Sequence, residues 1–566
     1  MRRKILVLLA ALGLAGVGCG DPKPDPNAAP SVALTTGGPA AKPPGEILAR
    51  IHFIGTDQLA LDTNATTLNR IGLLKETAAL KKDILDKLST APGRSIGLAT
   101  NVSAELTASI RPLLADLISA ETYLEVRDWE GPMVDLSGGG PEWAVAVKLS
   151  EDRVKVWDAA LRTILAKLGK EQVTPIQIEG VTGWEATMTG NQDVFRFVSA
   201  KGWAVFGSGP GTRSLPGEMV ASINVSGAPA PSGADDALGI TIDFPRLVEE
   251  TGWTRWSGLP YVDIQSRVVK DNVRSTGSLV FPEALGLKTE AWKIPTNSIH
   301  DPLISFTAVK GIAPWLEKQE FYQAVKLEQT PNQAFAWAMV GPFSLSYIAV
   351  PAPDSTNQMR QLFPRLEKIS NEELKKRGLG SITNIAKSTM SQWTDAIPMA
   401  ARPYIRTSEE PSDDFLMMGL FPVDHGVFTN PPPAALVGHV ASKKDVIYYD
   451  WEITQARLTQ LKLMFQFASW ISDRPKLAAD TSADKWVHAI GDNLGNTATE
   501  ITLASPREMK LVRRSHLGLS AFEIMTLAYW VADEKFPLSE SRLPFLPLSE
   551  TGGMLMPVGP PPPQER

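Results

Sequence analysis

One block of this chain constrains its fold more than any other. Residues 143–149 alternate large apolar side chains with smaller or polar ones as a strand does. Ser150 then offers an N-cap, and Glu151 and Asp152 suit the positive end of a helix dipole. Val154, Trp157, Leu161, Ile164, Leu165 and Leu168 fall on one helical face, and Gly169 is a natural stop. Two strand-like runs follow, at 176–188 with a turn near Gly180 and at 195–206. Strand, helix, then paired strands is a unit that buries a helix against an antiparallel sheet.

The same order recurs. Residues 238–242 form a strand, Asp243 caps a short helix ending at Gly252, and strands follow at 261–269 and 275–281. Residues 303–309 form another strand, Pro314-Trp315-Leu316 opens a helix, and 334–340 with 343–350 make a hairpin. The starts near 142, 238 and 302 are unequally spaced, so no fixed-period solenoid is expected. The expectation is an α+β fold, with antiparallel sheets carrying helices on one face and built from recurring strand–helix–paired-strand units.

Elsewhere the pattern predicts strands at 51–54, 96–100, 415–423, 447–453 and 509–512. Helices are expected at 66–88, ended by Pro92-Gly93, after a cap at Asn101 or Ser103, then another started or kinked by Pro112 and running to about Ala120, at 355–377, at 457–471 and after Ser520. Residues 226–233 and the 429–435 stretch with Pro431-Pro432-Pro433 read as linkers or long surface loops. The expected organisation is a signal peptide at 1–18, a Pro-rich tether at 19–45 and α+β regions at 46–225, 235–429 and 436–548. A disordered Pro-rich tail at 549–566 completes it.

The first residues carry an address. Met1-Arg2-Arg3-Lys4 is basic, and 5–17 is an apolar or small run of 13 residues closed by Gly18-Cys19. As a helix that run spans ~20 Å, too short for a bilayer core of ~30 Å and the right length for an export signal. Losing Arg2, Arg3 and Lys4 takes the formal charge from −6 to −9. A modest acidic balance with no basic run argues against nucleic-acid binding and against attraction to anionic lipid.

Ala15-Gly16-Val17-Gly18-Cys19 resembles the cleavage motif of the bacterial lipoproteins. The resemblance covers about twenty residues and implies that the mature chain begins at a lipid-modified Cys19. Its partners would be the membrane, through that lipid, and other envelope proteins or cell-wall components. Gly20, where enteric lipoproteins kept at the inner membrane carry Asp, favours an outer membrane. Cys19 is also the one cysteine of 566 residues, so no intramolecular disulfide forms and the fold rests on its core.

No catalytic constellation stands out. The six histidines include no HExxH and no close zinc-ligand spacing, and no cofactor is expected. Gly207-Ser208-Gly209-Pro210-Gly211 lacks the lysine of a nucleotide loop and reads as a turn. Ser482-Ala483-Asp484-Lys485 matches SxxK without its supporting motifs. Glu409, Glu410, Asp413 and Asp414 read as a solvated loop or a hard-cation site. Trp253, Trp256 and Tyr261 cluster around a turn and either pack or stack on a ligand. Three readings remain open: a non-catalytic envelope binding or scaffold protein, a solute-binding lipoprotein of a transporter, and an extracytoplasmic hydrolase.

Overall fold

The computed structural model describes residues 47–96, 100–127, 142–168, 172–187, 193–210, 214–230, 236–251, 258–319, 322–323, 326–340, 345–376, 380–385, 390–394, 403–408, 414–419, 430–472 and 480–537. Cys19, Trp253, Trp256, Glu409, Glu410 and Asp413 lie outside the described residues, as do the tether and the tail.

The described chain divides into two runs of ten strands. The first comprises β1 (Ile47–Phe53), α1 (Thr56–Leu61), α2 (Thr66–Gly72), α3 (Lys75–Ile96), α4 (Thr100–Ser119), β2 (Thr122–Arg127), β3 (Glu142–Lys148), α5 (Glu151–Leu168), β4 (Gln172–Ile178), β5 (Val181–Thr187), β6 (Asp193–Ala200), β7 (Trp203–Pro210), α6 (Leu215–Ser226), β8 (Leu238–Asp243), α7 (Phe244–Thr251), β9 (Tyr261–Val269) and β10 (Asn272–Val280). The second comprises β11 (Leu303–Lys310), α8 (Ala313–Leu316), β12 (Gln333–Met339), β13 (Leu345–Pro351), α9 (Ser355–Lys376), β14 (Ser381–Asn384), β15 (Met390–Thr394), β16 (Tyr404–Thr407), β17 (Phe415–Gly419), α10 (Ala434–Ser442), β18 (Val446–Ile453), α11 (Thr454–Ser472), α12 (Ser482–Gly491), β19 (Asn496–Ser505), β20 (Glu508–Ser515) and α13 (Ala521–Ala532).

All these strands join one antiparallel sheet. The first ten lie in the order β4-β5-β6-β7-β3-β2-β1-β8-β9-β10. The second ten lie in the order β14-β15-β16-β17-β13-β12-β11-β18-β19-β20, which is the same order with each number raised by ten. The two runs meet where β10 pairs with β20, from Val273 opposite Ser515 to Val280 opposite Glu508.

The registers agree as well as the order. The last residue of β3, Lys148, faces the first of β7, Trp203; the last of β13, Pro351, faces the first of β17, Phe415. Two-residue turns join β9 to β10 and β19 to β20. In the first of these, Lys270 and Asp271 both have positive φ, the geometry a tight hairpin requires. Each run also places a helix directly after its eighth strand, α7 after Asp243 and α11 after Ile453.

Helices cover both faces, not one as the sequence pattern suggested. Val145 and Val147 of β3 pack with Trp157, Leu161 and Leu165 of α5. The intervening Ala144 and Ala146 pack on the other face with Leu215, Met219 and Ile223 of α6. Near-continuous burial along β3 is the pattern of a strand sandwiched on both sides. Edge strand β4 carries Pro175, whose missing donor blunts further pairing.

Other expectations are corrected too. Gly207 to Pro210 belong to β7, Gly207 and Ser208 paired on both sides and Gly209 and Pro210 with β6, and so form no turn; Gly211 lies outside the described residues. A Cβ on Gly207 would collide with the Trp143 carbonyl, so this glycine permits close strand approach. Helix α3 runs through Pro92 to Ile96, and no strand occurs at 96–100 among the described residues. Gly93 admits Ser103 of α4 against its backbone, a contact rather than a stop.

A separate helical core joins the two runs. Ile71, Leu80, Leu85 and Leu88 of α2 and α3 bury against Leu458 and Phe465 of α11, Trp486 and Ile490 of α12, and Ile524 and Met525 of α13. No described helix is long and apolar enough to cross a bilayer.

Candidate functional site

The equal registers let each strand position in one run be set beside its counterpart in the other. In the first run Leu124, Val145, Phe206, Phe197 and Trp184 stand side by side across five strands. Side chains alternate along each strand, so a row of mutually paired residues shares one face. Trp184 stacks on Phe197 at 5.6 Å and lies 6.4 Å from Phe206. Its indole N–H donates to Asp158 of α5, and Arg162 lies over the ring at 5.0 Å. Leu113 of α4 and Trp157 of α5 join the cluster. The face is full.

The corresponding row of the second run is Ala336, Ile348, Met418, Ile405 and Ser391. Leucine, two phenylalanines and tryptophan are thus replaced by alanine, methionine, isoleucine and serine. The covering helices differ as well: α1 to α4 lie between β1 and β2, whereas between β11 and β12 the described residues show the four-residue α8 and a helical pair at 322–323. The result is a cavity of about 440 Å³ whose floor is this row. Leu366 of α9, Met464 and Arg457 of α11, and Trp393 of β15 also line it. Ile348 is 45% exposed where its counterpart Val145 is 7% exposed.

The cavity is mostly apolar, with Ser346, Ser391 and Arg457 among its lining residues. Ser391 is buried, and its Oγ has no hydrogen-bond partner among the described residues. An unmet buried hydroxyl costs on the order of 1–3 kcal/mol, which makes it a polar contact available to a ligand. Arg457 donates to Gln460 Oε1 at 2.5 Å, and Gln460 donates in turn to Ser346. The guanidinium therefore has a fixed place on the cavity wall.

A second concentration of polar groups lies where β18 meets α13. Glu452 Oε1 accepts from the Ala521 N–H at 2.7 Å and from Thr454 Oγ1 at 3.2 Å. Thr307 Oγ1 donates to Asp450 at 2.6 Å. Arg513 holds Glu523 with two hydrogen bonds, at 2.5 and 2.8 Å, and donates to Thr499 at 2.7 Å. Burial, then the Asp450 charge, pushes the Glu452 carboxyl up to about 7, and burial raises Asp450 too. These groups bond to one another and to a helix end, and none of them lines the cavity.

The residues singled out in the sequence fall apart in space. Tyr261 opens β9 opposite Asp243 and Val280, half-buried, and burial beside Asp263 and Asp243 raises its phenol. Its companions Trp253 and Trp256 lie outside the described residues. Ser482 donates to Asp83 of α3 at 2.7 Å, and Lys485 turns to Asp480 at 3.4 Å, so the SxxK pair is not assembled. His300 Nδ1 lies 3.0 Å from the Asn430 carbonyl oxygen. Among the described residues no three of His, Cys, Asp and Glu gather as metal ligands. Sequence reasoning missed Ser391, Ile405 and Met418, because their meaning lies in the comparison with Trp184, Phe197 and Phe206, which needs the strand register. No protein-family model, curated protein or solved structure matches the chain.

Proposed function

We propose that this chain is a lipid-anchored, extracytoplasmic bacterial protein whose folded part binds an apolar small molecule. The cavity over the Ala336–Ser391 row carries the binding half of this reading. Its volume of about 440 Å³ falls in the range of small-molecule sites, and its apolar walls with few polar groups are the usual composition of one. The short basic start, the apolar run and Cys19 support the anchor. The Pro-rich stretch at 19–45 would hold the folded part off the outer-membrane surface, within reach of other envelope components.

The recurring strand–helix–paired-strand units belong to a longer repeat in this reading. The units starting near 142 and 238 fall within the first ten strands, and that near 302 opens the second ten. One copy keeps a filled face for stability, and the other gives up that filling for a ligand.

The anchor has its own test. Growth with a clickable fatty acid should label the wild-type protein and leave Cys19→Ala unlabelled. Equal labelling of both would place the lipid elsewhere. For the binding half, the protein is purified from cells under native conditions, extracted with organic solvent and analysed by mass spectrometry. A stoichiometric apolar compound is the expected result.

A further inference from the structure

We infer that the second-run cavity is a seat for an aryl group, held where the first run carries the indole of Trp184. This inference rests on the binding reading above and narrows its ligand to one chemistry. Ser391 occupies the register position of Trp184: each is paired with the residue, Ile405 or Phe197, that is itself paired with Met418 or Phe206. The first run shows what this face accepts, a flat indole stacked at 5.6 Å on its neighbour in the row. The floor in the second run is likewise a row on adjacent strands about 4.8 Å apart, apolar at Ala336, Ile348, Met418 and Ile405, a platform suited to a ring laid flat. The size agrees. An apolar protein cavity of about 150 Å³ takes up benzene, so one of 440 Å³ holds two or three fused rings. Trp393, two residues from Ser391 and therefore on the same face, supplies an aromatic wall where the first run has Ala186.

Ser391 Oγ gives the seat an unmet hydrogen-bonding group, beside the already bonded Ser346 and Arg457. It is buried, unpaired among the described residues and on the floor row. A ring bearing a hydroxyl or carbonyl would meet that group and satisfy it, whereas a plain hydrocarbon would leave it unpaired. The ligand is therefore an aryl compound with one hydrogen-bonding substituent.

The test uses the purified full-length protein and the fluorescence of N-phenyl-1-naphthylamine, with naphthalene, 1-naphthol and n-decanol as competitors. The probe should bind saturably, and 1-naphthol should displace it at severalfold lower concentration than naphthalene, with n-decanol weaker than either. Ser391→Trp restores the ring of the first run and should weaken probe binding at least tenfold. Ser391→Ala should retain the probe and erase the preference for 1-naphthol over naphthalene. Met418→Phe, which restores the Phe206 ring, is the second filling variant should Ser391→Trp fail to fold. Saturable binding in which n-decanol competes best would overturn the aryl seat and leave the binding reading standing. Undiminished binding by a folded Ser391→Trp would move the site elsewhere and overturn the seat. Absence of saturable binding by any of these compounds would remove the binding reading itself.

Discussion

Trp184 and Ser391 occupy one position in two copies of a sheet, and the difference between them can be measured from either side. Filling the second run is one direction. Emptying the first is the other. Trp184 is 3% exposed, stacks on Phe197, lies under Arg162 and donates to Asp158. Trp184→Ser removes the indole from a face with helix cover and puts an unpaired hydroxyl in its place. Large-to-small changes of a buried aromatic cost roughly 3–5 kcal/mol. The variant should lower the unfolding free energy by that amount, read as a lower urea midpoint at an unchanged m value. A loss below about 1 kcal/mol would mean that the first-run row does not depend on this ring, and the contrast between the runs would lose its energetic basis. Asp158 retains Arg162 at 2.9 Å, so no bare carboxylate complicates the result.

At the scale of elements, the junction of β18 with α13 couples a strand carboxyl to a helix start. Ser520 accepts from the Glu523 N–H while Glu523 reaches back to the Ser520 N–H, a complete capping box. Glu452 adds a third oxygen by accepting from Ala521. The positive end of the helix favours its charge, but burial beside Asp450 opposes it more strongly and sets the carboxyl at about 7, against an ordinary 4.5. Between these values the folded protein holds a proton that the unfolded chain has released, so stability falls as pH rises. The contribution is complete below pH 4.5 and lost above pH 7, by roughly 3 kcal/mol at 1.36 kcal/mol per unit. Glu452→Gln keeps an acceptor for Ala521 and should flatten the fall in unfolding free energy between pH 5 and pH 8. An unchanged slope would assign the proton to another group, and Asp450, which burial also raises, would be the next to replace.

The same scale explains what could be read in the sequence. The strand β3 and the helix α5 were legible because Ser150, the stripe from Val154 to Leu165 and the alternation at 143–149 are local signals. The capped starts at Asp243 and Ser520 were legible for the same reason, and Asp243 does accept from the Arg246 N–H at 3.0 Å. The short strands β14, β15 and β16 were not: four or five residues carry too little periodicity. The cavity was invisible for a deeper reason. Ser391 in Met-Ser-Gln-Trp-Thr is unremarkable until its partner Ile405 is known, and their separation in sequence sets no register.

The whole molecule is tied together twice. The β10–β20 pairing makes one sheet of the two runs. Beside the sheet, α3 lies against the last described helix and the chain after it: Lys87 Nζ donates to the Val531 carbonyl at 2.6 Å, and Arg94 to those of Glu534 and Phe536 at 2.6 and 2.9 Å. The shared apolar core draws α2, α3 and α4 from the first run and α11, α12 and α13 from the second. Neither run closes that core alone, so removing atoms from it should weaken both together. Ile490 of α12 is fully buried at its centre. Ile490→Ala should cost roughly 2–5 kcal/mol and shift the entire unfolding curve. Far-UV circular dichroism and tryptophan fluorescence should then move to the same lower midpoint in one coincident transition, the signature of a single cooperative unit. Two separated transitions, of which the substitution shifts one, would show that the runs unfold independently. The helical core would then be a contact between autonomous halves.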